Sequence, residues 1–236
     1  MLSAVEYSNI DPPQSVTIVD DDPDDREDLM DQLSDENIEP KVITGQYGSR
    51  IEALIEDVLA LDTPFVICDH RLQTKNLASF NGASLIKALK SRNKPAMLLT
   101  MYQSTNRLEL REARADLPVV VSRHDFDISR LGIYSEVCRR EFTGEPVDER
   151  RPHRTLISVK DIKHSHGEAL HYVTIPSWRP DEAIILPVGC IDRGLLGRFS
   201  AGDYLLADVN IGAREEDDLY FRNVDEFLLA NQIVDS

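Results

Sequence analysis

Five short apolar runs alternate with stretches of helical spacing over the first 142 residues, and this alternation constrains the fold more than any other feature. The runs cover residues 16–19, 41–44, 65–68, 96–100 and 119–121. Three are nearly continuous in apolar residues, as strands are when both faces of their sheet are covered. Between them, Leu29, Met30 and Leu33 mark a first helix, and Ile51, Leu54, Ile55, Val58 and Leu59 a second. Leu85, Ile86 and Leu89 mark a third, Leu108, Leu110 and Ala113 a weaker fourth, and a fifth runs from about Ile128 to Phe142. Such strand–helix pairs predict a parallel sheet with helices on both faces.

The texture changes at TGEPVDERRPHR (residues 143–154), a polar stretch with two prolines that reads as a linker. Beyond it, short partly alternating runs are separated by Gly, Asp and Pro, which predicts five or six strands. The expected division is an α/β domain over residues 1–145 and a small β-rich, barrel-like domain over 150–236, for output or interaction. The net charge of −16 argues against nucleic acid as a partner, because phosphate contacts need clustered Lys and Arg. Three widely spaced cysteines, with no CxxC pair, suit a reducing cytoplasm. The opening residues lack the basic and apolar segments of a secretory leader, and no apolar run is long enough to cross a bilayer, so no membrane is expected.

In an open parallel sheet, ligands bind beyond the carboxyl ends of the strands. The residues following each run therefore carry the functional information. Asp20, Asp21 and Asp22 follow the first, Asp69 the third, Thr100 closes the fourth, and Ser122 and Arg123 follow the fifth. For the first three acids a plain structural account exists: Asp22 caps a helix that Pro23 begins, and Asp24, Asp25 and Glu27 favour its positive end. Asp69 has no such account, since it closes FVIC alone.

The segments VDDDPDD, VICDHRL, MLLTMY and VVVSRHDF, in this order, resemble the receiver domain of response regulators over about residues 14–142. The resemblance implies a flavodoxin-like doubly wound sheet of five parallel strands in the order 2-1-3-4-5. It implies that Asp69 is a phosphoacceptor, with Thr100 and Arg123 assisting. It further implies Mg²⁺ held by Asp20, Asp21, Asp69 and the backbone carbonyl of Arg71, hard oxygen ligands of the kind this ion prefers. The partners implied are a histidine kinase or kinase-like ATPase and a downstream protein; a dimer is compatible with it. Catalysis in its own right is not expected beyond self-dephosphorylation. Three departures stand out: Arg123 replaces the family's lysine, the segment from Asp69 to Gly82 is longer than usual, and bulky Met101 follows Thr100, where it would crowd the phosphosite. They support the alternative reading, a pseudo-receiver scaffold or assembly subunit with no phosphorylation.

The remaining candidates have simpler explanations. His164, His166 and His171 could share a strand face as metal ligands, or flank a solvated hairpin turn. His124 reads as a surface histidine, and the acidic run 215–218 as a solvated loop. Tyr220 and Phe221 read as core, and Trp178 as a core plug or an exposed anchor. The second domain resembles no family by its motifs, and an enzyme site of unfamiliar type there is a third reading.

Overall fold

A computed structural model of the chain describes residues 10–101, 107–165 and 168–230. It divides into two compact units. One comprises the described residues up to 101 together with 116–147, the other residues 107–115 together with 148–230.

The first unit is the expected flavodoxin-like doubly wound sheet. Its strands are β1 (Ser15–Val19), β2 (Glu39–Val42), β3 (Phe65–Asp69), β4 (Ala96–Thr100) and β5 (Val120–Ser122), ordered β2-β1-β3-β4-β5. All four ladders are parallel. Alternation along each strand explains why the apolar runs are nearly continuous. Val16, Ile18, Phe65, Ile67, Met97 and Leu99 share one core with α1 (Pro23–Asp35) and α5 (Leu131–Phe142). Their neighbours Val66, Cys68, Ala96 and Leu98, also fully buried, face the opposite side. There α3 (Gly82–Lys90) packs on β3 and β4, and α2 (Ile51–Ala60) packs on α3.

Two strands lie away from their predicted positions. β2 begins at Glu39 rather than at residue 41, because its pairing with β1 starts at Ser15 and Glu39. It includes Pro40, which an edge strand tolerates since one side of its backbone needs no ladder partner. β5 runs one residue later than expected and contains Ser122. The fifth helix is preceded by a 3-10 turn at Ile128–Arg130, where Asp127 accepts from the Ser129 N–H, so the α-helix proper starts at Leu131.

The second unit is a five-stranded antiparallel sheet of β6 (His153–Ser165), β7 (Glu168–Ile175), β8 (Arg179–Leu186), β9 (Tyr204–Val209) and β10 (Phe221–Leu228). Its order is β10-β9-β6-β7-β8. One face carries Ile157, Val159, Val173, Ile184, Leu205 and Ala207, all buried, over which Phe199, Leu219 and Phe221 close. Tyr220 is buried too, its hydroxyl donating to the Arg150 carbonyl at 2.6 Å. Trp178 is half-buried against the core and donates from Nε1 to the Ala213 carbonyl at 2.6 Å, which satisfies its one polar atom. α4 (Arg107–Ala113), with Arg114 and Ala115 after it, belongs to this unit although it lies between β4 and β5 in sequence. Among the described residues no helix is long and apolar enough to cross a membrane.

Among the described residues, His164 and His171 belong to no cluster of three or more potential metal ligands. His164 is exposed, His171 is buried against the Phe199 ring, and His166 lies outside the described residues. His171 Nδ1 has no hydrogen-bond partner among the described residues. Burial, and secondarily His164, hold its pKa below the ordinary histidine value. A histidine kept neutral by the fold stabilises it at high pH and loses that contribution as the pH falls below about 6.5, where the unfolded chain takes up the proton. We expect the melting temperature of the wild type to fall relative to His171→Phe between pH 7.5 and pH 5. Parallel melting curves of the two proteins would show no such divergence if His171 were protonated in the fold.

Candidate functional site

Each acidic candidate stands where a strand stops. β1 and β3 pair with Val19 opposite Cys68, so the next residues, Asp20 and Asp69, emerge side by side at the carboxyl edge of the sheet. This is the point where strand order reverses. Asp20, Asp21 and Asp69 are all buried, and one oxygen from each lies within 4.8 Å of the others. Asp22 turns the other way. Its side chain accepts from the Asp24 N–H at 3.1 Å and caps α1, with Pro23 in the first turn. The structural account of the acidic run and the functional one therefore hold together, on different residues of one run.

The remaining predicted residues come to the same edge. Thr100, buried at the end of β4, pairs with Ser122, while Leu99 pairs with Asp69. Arg123 follows β5 and reaches back across the edge. Its Nη2 donates to Asp20 Oδ2 and, at 3.2 Å, to Asp69 Oδ1. Its Nε lies 3.7 Å from Asp25 Oδ2. Arg71 is placed by its backbone N–H, which donates to Asp69 Oδ2 at 2.7 Å.

Two contributions were not assigned from the sequence. The long segment after Asp69 folds over the site, where the Lys75 backbone N–H donates to Asp21 Oδ2 at 2.5 Å. Below the site, Gly82 opens α3 and donates its N–H to the His70 carbonyl at 2.9 Å. A side chain at position 82 would place its Cβ 2.0 Å from the Asp69 carbonyl oxygen. A glycine as the first residue of a helix is the only hint that position offered.

Burial raises the Asp69 pKa to about 6, Asp20 adds to the rise, and Arg123 opposes it. Burial likewise raises Asp20, against Arg123 and the hydrogen bond from Asp22. Burial works against the charge of Arg123, yet Asp20, Asp69 and Asp25 outweigh it, so the guanidinium is held more firmly than usual. Burial, with Asp69 and Asp20, pushes the neighbouring Cys68 thiol well up, which keeps it un-ionised and unreactive.

The donor set suits a hard divalent cation. Three carboxylates against one guanidinium give the buried cluster a formal charge of −2, and every atom it offers a cation is oxygen. Beside Arg123 the surface opens into a groove of about 340 Å³ lined by Asp25, Asp28, Met101 and Phe126 among others. Met101 is half-exposed along this groove, and His124 is exposed, its backbone N–H bonded to Ser122 Oγ at 3.2 Å.

Compared with known proteins, the chain matches no family model and no curated protein. Solved structures do match it. The receiver domain of the Francisella response regulator 1452 is 18% identical, with a TM-score of 0.40, covering 54% of this chain and 98% of its own. The receiver domain of NtrX from Brucella abortus is 19% identical, with a TM-score of 0.41, covering 53% of this chain and 98% of its own. The signal receiver domain of an HD domain-containing protein from Pseudomonas fluorescens is 13% identical, with a TM-score of 0.42, covering 59% of this chain and 96% of its own. Over a little more than half of its length, this chain is similar to receiver domains.

Proposed function

We propose that the α/β unit is a receiver-type phosphoacceptor in a signalling protein whose output passes through the β-rich unit. The observation that carries this reading is the buried cluster of Asp20, Asp21 and Asp69 at the strand-order switch point, with Arg123 laid across two of its members. Asp69 is the phosphoacceptor, and Asp20, Asp21, Asp69 and the Arg71 carbonyl are the residues that would hold Mg²⁺. When bound, that ion supplies charge neutralisation for the incoming phosphoryl group.

The rest is the work of the chain itself. An Asp69 oxygen forms the new O–P bond as the P–N bond of a partner kinase's phosphohistidine, or the P–O bond of a small phosphodonor, breaks. The departing electron pair stays on the imidazole nitrogen, which takes a proton from water, or on the donor's oxygen. Arg123 orients the acceptor and offers its fork to the phosphoryl oxygens, and the Thr100 hydroxyl is a further donor from β4. Burial keeps Asp69 dry, so these interactions act at reduced dielectric.

The test is direct. Incubation with acetyl phosphate and Mg²⁺ should add one phosphoryl mass to a peptide containing Asp69, labile to hydroxylamine. Asp69→Asn should show none while keeping its circular dichroism spectrum. A second reading, the pseudo-receiver scaffold, draws on one observation: Arg123 already donates to both Asp20 and Asp69 and offsets one of their charges. Absence of any adduct on the wild type, with no response to Mg²⁺, would leave that reading standing.

A further inference from the structure

The acidic run at 215–218 reads as a solvated loop in the sequence, and the structure gives part of it a partner. Glu216 and Asp218 pair with two arginines from the α4 segment, Arg111 and Arg114, each only 5% exposed. Arginines this deeply buried cost free energy unless their donors are matched, and here they are matched by side chains and backbone together. Arg111 donates to the Ile185 carbonyl at 3.0 Å and to Glu216 Oε1 at 2.6 Å. Arg114 donates to the Asp217 carbonyl at 3.2 Å and to Asp218 Oδ1 at 2.8 Å.

The segment also accepts. Glu112 Oε1 takes the Gly189 N–H at 2.9 Å, the Arg114 carbonyl takes Arg150 Nη2 at 3.1 Å, and the Ala115 carbonyl takes Arg222 Nη2. Its partners thus come from β8, β10 and the turns at 148–150, 188–190 and 216–218, all within the β-rich unit. One residue later the allegiance reverses: Asp116 pairs with Lys87 and Lys90 of the α/β unit.

We propose that the β-rich unit presents a docking surface for a short helical segment carrying two arginines three residues apart. Residues 107–115, lent by the chain between β4 and β5, are its resident occupant. The surface is complementary in charge, with Glu216 and Asp218 against the arginines. It is also specific in geometry, because five of the contacts run to or from backbone groups at fixed positions. Removing a carboxylate leaves a buried arginine without its counter-charge, and removing an arginine takes away the buried partner of a half-exposed carboxylate, so the arginine side carries most of the energy.

A cut in the 143–154 segment tests this. With a protease site engineered there in the full chain, the cleaved wild type should run as one species on gel filtration at moderate salt. Residues 107–115 should stay protected from hydrogen exchange. The double substitution Arg111→Gln with Arg114→Gln should weaken the association of the fragments at least tenfold and release that protection. Glu216→Gln with Asp218→Asn should do the same from the opposite side. Arg92→Gln, which breaks the exposed pair with Glu52, should change nothing. If the wild-type fragments separate, or stay together equally well in both double variants, the segment is not the occupant and the proposal falls.

Discussion

Replacing Arg123 by alanine is expected to destabilise the protein by about 3–5 kcal/mol at pH 8 in the presence of a chelator, the cost of breaking a buried pair by removing one partner. Asp20 and Asp69 would then face each other in a dry cluster with no positive charge between them. The loss should depend on pH in a definite sense. Arg123 stabilises only ionised carboxylates, and Asp69 titrates near 6, so the difference between variant and wild type should shrink as the pH falls through that value. Mg²⁺ should restore most of the lost stability at pH 8, since a divalent ion takes over the neutralisation and its binding adds to stability by mass action. Thermal melts of both proteins, at two pH values with and without Mg²⁺, contain the whole test. A variant as stable as the wild type at pH 8 would mean that the guanidinium is not the counter-ion of the cluster.

Gly82→Ala should lose about 3 kcal/mol, the upper part of the range for a side chain forced into a packed site. At an open helical position the same change would be stabilising by about 1 kcal/mol, because alanine is the better helix former. The two expectations differ in sign, which makes the experiment decisive. The added Cβ would meet the Asp69 carbonyl oxygen at 2.0 Å and Cys68 Sγ at 2.8 Å. Backbone cannot swing aside as a side-chain tip can, so the first turn of α3 must move away from the end of β3. Asp69 would move with it, and the Mg²⁺-induced rise in melting temperature should fall as well. Denaturant unfolding checks the first part and a Mg²⁺ titration the second; a more stable variant would show that α3 sits further from Asp69 than the structure places it.

The sequence by itself determined the α/β sheet and the edge at which its strand-end acids gather. Apolar runs of strand length, helical spacing between them and acids at the strand ends are local signals, set by residues a few positions apart. The capping role of Asp22 was legible for the same reason, since a cap needs only the turn that follows it. Tertiary structure alone decided what those residues meet. Arg123 bridges Asp20 and Asp69 across 103 and 54 positions of chain, and the Lys75 N–H reaches Asp21 across 54. The start of β2 was decided by its ladder with β1 rather than by its own apolar residues. The acidic run near residue 216 looked solvated because nothing in its neighbourhood announces a partner; its arginines lie more than 100 positions earlier. α4 carried a weak helical pattern in the sequence and no mark of which unit would hold it. A buried charge is placed by whatever opposite charge the folded chain brings within about 3–4 Å, and that distance is created only when strands and helices pack.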